Sequence, residues 1–141
     1  MDGAGSSLNI ASEITVGVSG SGTLAITNSA TASFPNATHG VNGAVIIGRL
    51  SGSNGAVTVD GAGSHLQAGD ISVGYNTGAT GSLTVSDGAT VDTTKLRLGG
   101  MESNVEGGSG SLTVTGTGSV VTHLAVILRT LVAIKMESAL C

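Results

Sequence analysis

DGAGSHLQAGDISVGYNTGATGSLTVSDGATV, from Asp60 to Val91, contains every kind of element from which the rest of the chain is built. Its opening phrase, DGAGS-x-L, spans Asp60 to Leu66 and also stands at Asp2 to Leu8, with a weaker echo, TGTGS-V-V, at Thr115 to Val121. Its middle, ISVG at Ile71 to Gly74, has counterparts in ITVG (Ile14 to Gly17), VIIG (Val45 to Gly48) and LRLG (Leu96 to Gly99). Its end, GSLTV at Gly81 to Val85, returns as GTLAIT (Gly22 to Thr27), GAVTV (Gly55 to Val59) and GSLTV (Gly110 to Val114). The half-unit is about 25 to 33 residues long, the period of stacked repeat architectures and not of a compact mixed domain.

Alternation within the units predicts strands. In Gly81-Ser82-Leu83-Thr84-Val85-Ser86, Leu83 and Val85 face one way and Ser82, Thr84 and Ser86 the other. The same reading turns Leu24, Ile26, Val57, Val59, Leu112 and Val114 inward, and Thr23, Thr27, Thr58, Thr113 and Thr115 outward. Stacked Thr and Ser suit strands and can hydrogen-bond from one coil to the next. Asp60-Gly61, Asp87-Gly88, Asn42-Gly43, Asn54-Gly55 and Gly99-Gly100 tolerate positive φ and are read as turns. No stretch before residue 120 has a persuasive 3.6-residue apolar period.

Such units could form hairpins of an antiparallel sandwich or coils of a parallel β-solenoid. Near-identical strands at one period favour the solenoid, because coils about 4.8 Å apart place equivalent residues on top of one another. A sandwich would need different residues on inner, edge and outer strands. The expected fold is therefore all-β, a parallel β-solenoid of about four to five coils, some 25 Å tall. Its repeats occupy residues 1–128, with units near 2–59, 60–114 and 115–128, and a divergent tail follows at 129–141.

Composition narrows the class further. Glycine accounts for 24 of the 141 residues, with one proline and two aromatic side chains, Phe34 and Tyr75. The glycines have no three-residue period, which excludes collagen, and Val, Ile and Leu recur at ordered positions, which argues against disorder. Charged residues are 10% of the chain and the net charge is −4, so no basic stripe is available for nucleic acid. Cys141 has no partner and implies neither a disulfide framework nor a metal site. The longest apolar stretch, Leu124 to Ile134, is broken by Arg129 and Thr130 and falls short of the ~20 residues of a membrane helix. The start, Met1-Asp2-Gly3, has neither the basic nor the apolar region of a signal peptide, so a longer parent protein is expected.

The order of elements between Asp60 and Val91 resembles the glycine-rich repeat of bacterial autotransporter passengers and of some secreted proteins with a PEP-CTERM sorting signal. The resemblance covers roughly residues 2 to 128 as two and a fraction repeats. It implies a right-handed parallel β-helix, secreted by the type V route across two membranes and displayed at, or shed from, the outer-membrane surface. A translocator barrel normally follows such a passenger, and this chain contains none. Two segments depart from the pattern. Asn28 to Ala44 is irregular, contains Pro35, and is expected to bulge as a loop. After Ala125-Val126-Ile127-Leu128, which stand where Asp70-Ile71-Ser72-Val73 stood, Arg129 replaces the expected glycine. The tail reads either as a short helix capping the solenoid, with Leu128, Leu131, Val132 and Met136 on one side, or as the end of a shifted or truncated reading frame.

The residues that could carry chemistry are few. DGAGS begins like a dinucleotide fingerprint, but Leu8 and Leu66 stand where its last glycine belongs, and the phrase reads better as a turn closing one coil and starting the next. No G-x-S-x-G elbow and no calcium-binding nonapeptide occurs. His39, His65 and His123 lack carboxylate or cysteine neighbours at ligand spacing and read as surface or turn residues. Asn36-Ala37-Thr38 is a formal glycosylation sequon, which the resemblance to bacterial repeats implies is a chance match. Asp60, Asp70, Asp87 and Asp92, with Lys95 and Arg97 behind them, could gather on one face as paired carboxylates of a glycan-cleaving β-helix. Against that, Asp60 and Asp87 precede glycine in turns, and Asp2 recurs with Asp60 as part of the phrase. The reading is thus no catalytic, cofactor-binding or metal-binding residue. The chain is expected to be a non-enzymatic adhesion or scaffold module of the cell surface. Its partners would be sister chains or neighbouring repeats at open solenoid ends, with a glycan or host surface as a further ligand. The alternatives are a polysaccharide-active β-helix enzyme and a vestigial reading frame. Open terminal coils predict a marginal or self-associating isolated chain.

Overall fold

A computed structural model of the chain describes residues 1–34, 45–100, 107–128 and 132–137. Pro35, the sequon, His39, Asn42-Gly43 and Cys141 lie outside the described residues. All regular structure among those described is β: β1 (Ser7–Asn9), β2 (Ile14–Val16), β3 (Ser21–Thr27), β4 (Thr31–Phe34), β5 (Val45–Ile47), β6 (Asn54–Asp60), β7 (His65–Val73), β8 (Thr80–Ser86), β9 (Thr90–Leu98), β10 (Ser109–Thr115), β11 (Val120–Leu128) and β12 (Val132–Glu137). Every strand pairing is parallel, and the chain alternates between two sheets. This is the expected β-solenoid. The first sheet has the order β12-β10-β8-β6-β3. The second is built on β7, β9 and β11, with β4 and β5 beside β7, and β1 and β2 beyond them.

The first sheet follows the sequence signature closely. Gly55, Gly81 and Gly110 share one column, as do Val57, Leu83 and Leu112, and then Val59, Val85 and Val114. The apolar columns are buried, while Thr58, Thr84 and Thr113 form a ladder on the opposite, half-exposed face. Pairings of β3 with β6, β6 with β8 and β8 with β10 make about three turns, slightly fewer than the four to five coils expected. Among the described residues of the tail there is no helix. Residues Val132–Glu137 form β12, which continues the same sheet from Gly110↔Val132 to Thr115↔Glu137, because an uncovered strand edge offers the chain a complete set of backbone partners. The expected loop is also partly strand, since Thr31–Phe34 is β4 and buries Ala32 and Phe34. Ala125 to Leu128 do align, through Lys95 to Leu98, with Asp70 to Val73.

The second sheet contains a feature absent from the first. In β7 the inward residues are Leu66 and Ala68, then Ile71 and Val73; in β9 they are Val91 and Thr93, then Leu96 and Leu98. The alternation slips by one residue in each, where the pairing omits Gly69 and Thr94. In earlier coils the same position separates β1 from β2 and β4 from β5. Each long strand is therefore two arms joined at a phase break.

Glycines make the corner between the sheets. Gly17, Gly48, Gly74 and Gly99, the last residues of the first signature, have φ of 78°, 73°, 70° and 73°. Gly55, Gly81 and Gly110 face that corner so closely that a Cβ on any of them would collide with backbone atoms of its own corner and of the preceding coil. Asn54-Gly55 is accordingly the start of β6 and not the turn expected of it. Asp60-Gly61 and Asp87-Gly88 do turn the chain, with positive φ at Gly61, Asp87 and Gly88.

The repeated phrase proves to be the longer of two alternating turns. DGAGS and TGTGS end β6 and β10, whereas the shorter Asn28-Ser29 and Asp87-Gly88 turns end β3 and β8. The serine of the long turn secures the short one below it: Ser64 Oγ accepts from the Ser29 amide at 3.0 Å, and Ser119 Oγ from the Gly88 amide at 3.1 Å. The phrase thus recurs every second coil.

Candidate functional site

The aspartates that the sequence brings under suspicion do not converge. Asp60 closes β6 and accepts a hydrogen bond from Ser86 Oγ one coil on, at 2.5 Å. Asp2 does the same two coils earlier, where its Oδ1 accepts from Thr27 Oγ1 at 2.7 Å and Asn28 Nδ2 at 2.6 Å. These hydrogen bonds, the one from Thr27 foremost, hold the Asp2 carboxyl below its usual pKa of 3.8. Asp87 lies in a turn at φ 51°. Asp70 is buried in β7, and its Oδ2 accepts from Arg97 Nη2 at 3.1 Å, with side chains 8% and 3% exposed. Lys95 lies across the strand pair from Asp70.

Asp92 stands on the outer face of β9. On the outer side of the first arm, Ser7, Thr31, His65, Thr90 and Val120 form one column, and Asn9, Ser33, Gln67, Asp92 and Thr122 the next. His65 bridges the two, with Nδ1 2.8 Å from Thr90 Oγ1 and Nε2 3.6 Å from Asp92 Oδ2. Ser33 Oγ donates to Gln67 Oε1 at 3.2 Å. Beside the phase break this face hollows into an open cleft of about 360 Å³, lined by Gln67, Asp92, Thr93, Thr94, Thr122 and His123. Neither histidine nor Gln67 was singled out as part of a site by spacing in the chain. Their signal lies in the repeat alignment, which puts Asp92 diagonally across from His65 on one strand face.

The groups that line this cleft are hydrogen-bonding ones. Asp92 is its one carboxylate among the described residues, whereas glycoside hydrolysis uses two, about 5 to 9.5 Å apart. No group of three His, Cys, Asp or Glu side chains among the described residues is placed to hold a metal ion. The DGAGS turn does not offer a free phosphate cradle: the Gly61 amide donates to the Ser86 carbonyl at 3.0 Å, and the Ser64 amide to the Gly61 carbonyl at 3.0 Å. Phe34 and Tyr75 are both buried, so neither supplies the stacking platform common in sugar sites.

A second concavity lies at the last coil. Leu96, Leu98, Leu112, Val114, Val121 and Met136 line an apolar cleft of about 350 Å³ between the two sheets, and Met136 is 76% exposed. At the other end Leu8, Ile14 and Leu24 are half-exposed, although their column mates Leu66, Ile71 and Val57 are fully buried. The apolar interior therefore reaches solvent at both ends. No helix among the described residues is long and apolar enough to cross a membrane. Comparison with protein families, curated proteins and solved structures gave no match.

Proposed function

We propose that the chain is a non-enzymatic scaffold module of a surface-displayed β-solenoid, similar in role to a passenger segment of a bacterial autotransporter. The observation that carries this reading is the use made of the repeated polar residues. Asp2, Asp60, Ser64 and Ser119 bond one coil to another, so the most regular polar positions are committed to the stack. The remaining polar columns are mostly hydroxyl and amide side chains, with His65 and Asp92 among them, which suit a spacer or a weak adhesive face.

Display provides the test. The chain is placed between a signal peptide and an outer-membrane translocator barrel, and surface protease accessibility is measured on intact cells. A folded, surface-exposed segment supports the reading, and retention in the periplasm counts against it. Incubation with a panel of soluble polysaccharides provides the control for the enzyme alternative. Release of reducing ends that disappears in Asp92→Asn would replace the scaffold reading with a polysaccharide-active one.

A further inference from the structure

The two ends of the solenoid are complementary. In the apolar column Leu8, Ala32, Leu66, Val91 and Val121, only the terminal members, Leu8 and Val121, are incompletely buried. The backbone is open at the same places: among the described residues β11 pairs only with β9, and β1 and β2 pair only with β4 and β5. Because all strands run parallel, the free edge of β11 and the free edges of β1 and β2 have the polarity to pair when one copy is translated onto the next.

Phase agrees as well as polarity. The first sheet finishes with β12, while beneath β3 only Met1 to Gly3 are present, bonded to Ala25 and Thr27 and leaving the start of the strand uncovered. One end thus carries a strand of the first sheet that the other end lacks. The corner glycines point to the same fit. Gly55, Gly81 and Gly110 each face a carbonyl of the preceding coil, from Val16, Ile47 and Val73 respectively. Gly22 has the same form but meets only its own corner. In a head-to-tail stack the Leu128 carbonyl would take that place, since Leu128 follows Leu98 in the column of Val16, Ile47 and Val73.

We propose that a second copy of this chain docks on the open end, β11 of one copy pairing with β1 and β2 of the next and Val121 stacking on Leu8. The start of β12 covers the uncovered start of β3, and Met136 and Glu137 leave the sheet where Met1 and Asp2 already occupy it. Outer-face neighbours across the second-sheet junction are Thr122 with Asn9 and Val120 with Ser7, none of them charged, whereas in the first sheet Glu137 and Asp2 belong to one column and their like charges favour the departure of Glu137 from it. The interface is heterologous and open-ended, so it yields short filaments and not closed dimers. The proposal rests on strand registers and is independent of display at a cell surface.

The register gives the test. Parallel neighbours about 4.8 Å apart fall in the Cα range of a disulfide. In a Cys141→Ser background, the pair Asn9→Cys with Thr122→Cys is oxidised with diamide at several protein concentrations. A ladder of covalent multimers is expected, together with a weight-average mass that rises at least about twofold with concentration in light scattering. The mismatched pair Asn9→Cys with Thr113→Cys, which joins opposite sheets, should give no ladder. Asn9→Pro is a second check: the Ser6 carbonyl and Ile10 amide bond to β4, so the Asn9 amide faces the open edge and its loss should return the mass to that of a monomer. A monomer at every concentration, or equal ladders from the two cysteine pairs, overturns the proposal.

Discussion

Arg97 Nη2 lies 3.1 Å from Asp70 Oδ2 across the pairing of β9 with β7, and both side chains are almost fully removed from solvent. A buried pair of this kind is costly to break because the surviving charge is left without its counter-charge. Asp70→Ala and Arg97→Ala should each lower unfolding free energy by about 3–5 kcal/mol. Replacing both by apolar residues should cost less than the sum, and a double-mutant cycle in urea measures the difference.

Gly81 and Gly5 should respond differently to the same methyl group. A Cβ on Gly81 would lie 2.8 Å from Val73 Cγ1 and press on the backbone of Ile47 and Gly74, whereas one on Gly5 would meet nothing. Gly81→Ala should cost about 3 kcal/mol or more, or prevent folding. Gly5→Ala carries only the strain of φ 87° and should cost about 1–2 kcal/mol. Thermal melting followed by circular dichroism separates the two.

Burial predicts a gradient along the stack. Leu83 is fully buried in a central coil, and Leu24, in the first coil of the same sheet, is half-exposed. Leu83→Ala should cost about 2–5 kcal/mol and Leu24→Ala less than half as much, measured by chemical denaturation.

Asp2 should make the first coil sensitive to acid. Its folded pKa is depressed below 3.8 by the hydrogen bonds from Thr27 and Asn28, so its contribution is fully present above 3.8 and is lost as pH falls through the lower folded value. The protection of the Thr27 amide, taken relative to the intrinsic exchange rate at each pH, should fall below pH 3.8 in the native chain. In Asp2→Asn this acid step should be absent.

Much of this architecture was legible because its information is local. Leu83, Val85, Leu112 and Val114 could be turned inward from alternation alone, and stacking of GSLTV on GSLTV follows from their identity. The helical alternative for the tail fails over Val132–Glu137 because a 3.6-residue spacing of Leu128, Leu131, Val132 and Met136 competes with the open edge of β10, and only the folded stack presents that edge. The candidate cleft was legible in part. Asp92 and both histidines were visible, but as isolated residues, since their proximity depends on how coils of unequal length are set against one another.

The sequence by itself determined the repeat, the parallel solenoid, the apolar columns and the structural use of DGAGS as a turn. All of these depend on residues within one coil or on identical residues in successive coils. Only the tertiary structure decided that the second sheet slips phase at Gly69 and Thr94, that Asp70 meets Arg97 out of water, and that His65 bridges Thr90 and Asp92. The last two of those relationships join unlike residues across coils. They are set by the lateral offset that the connecting turns impose, a quantity that no single repeat contains.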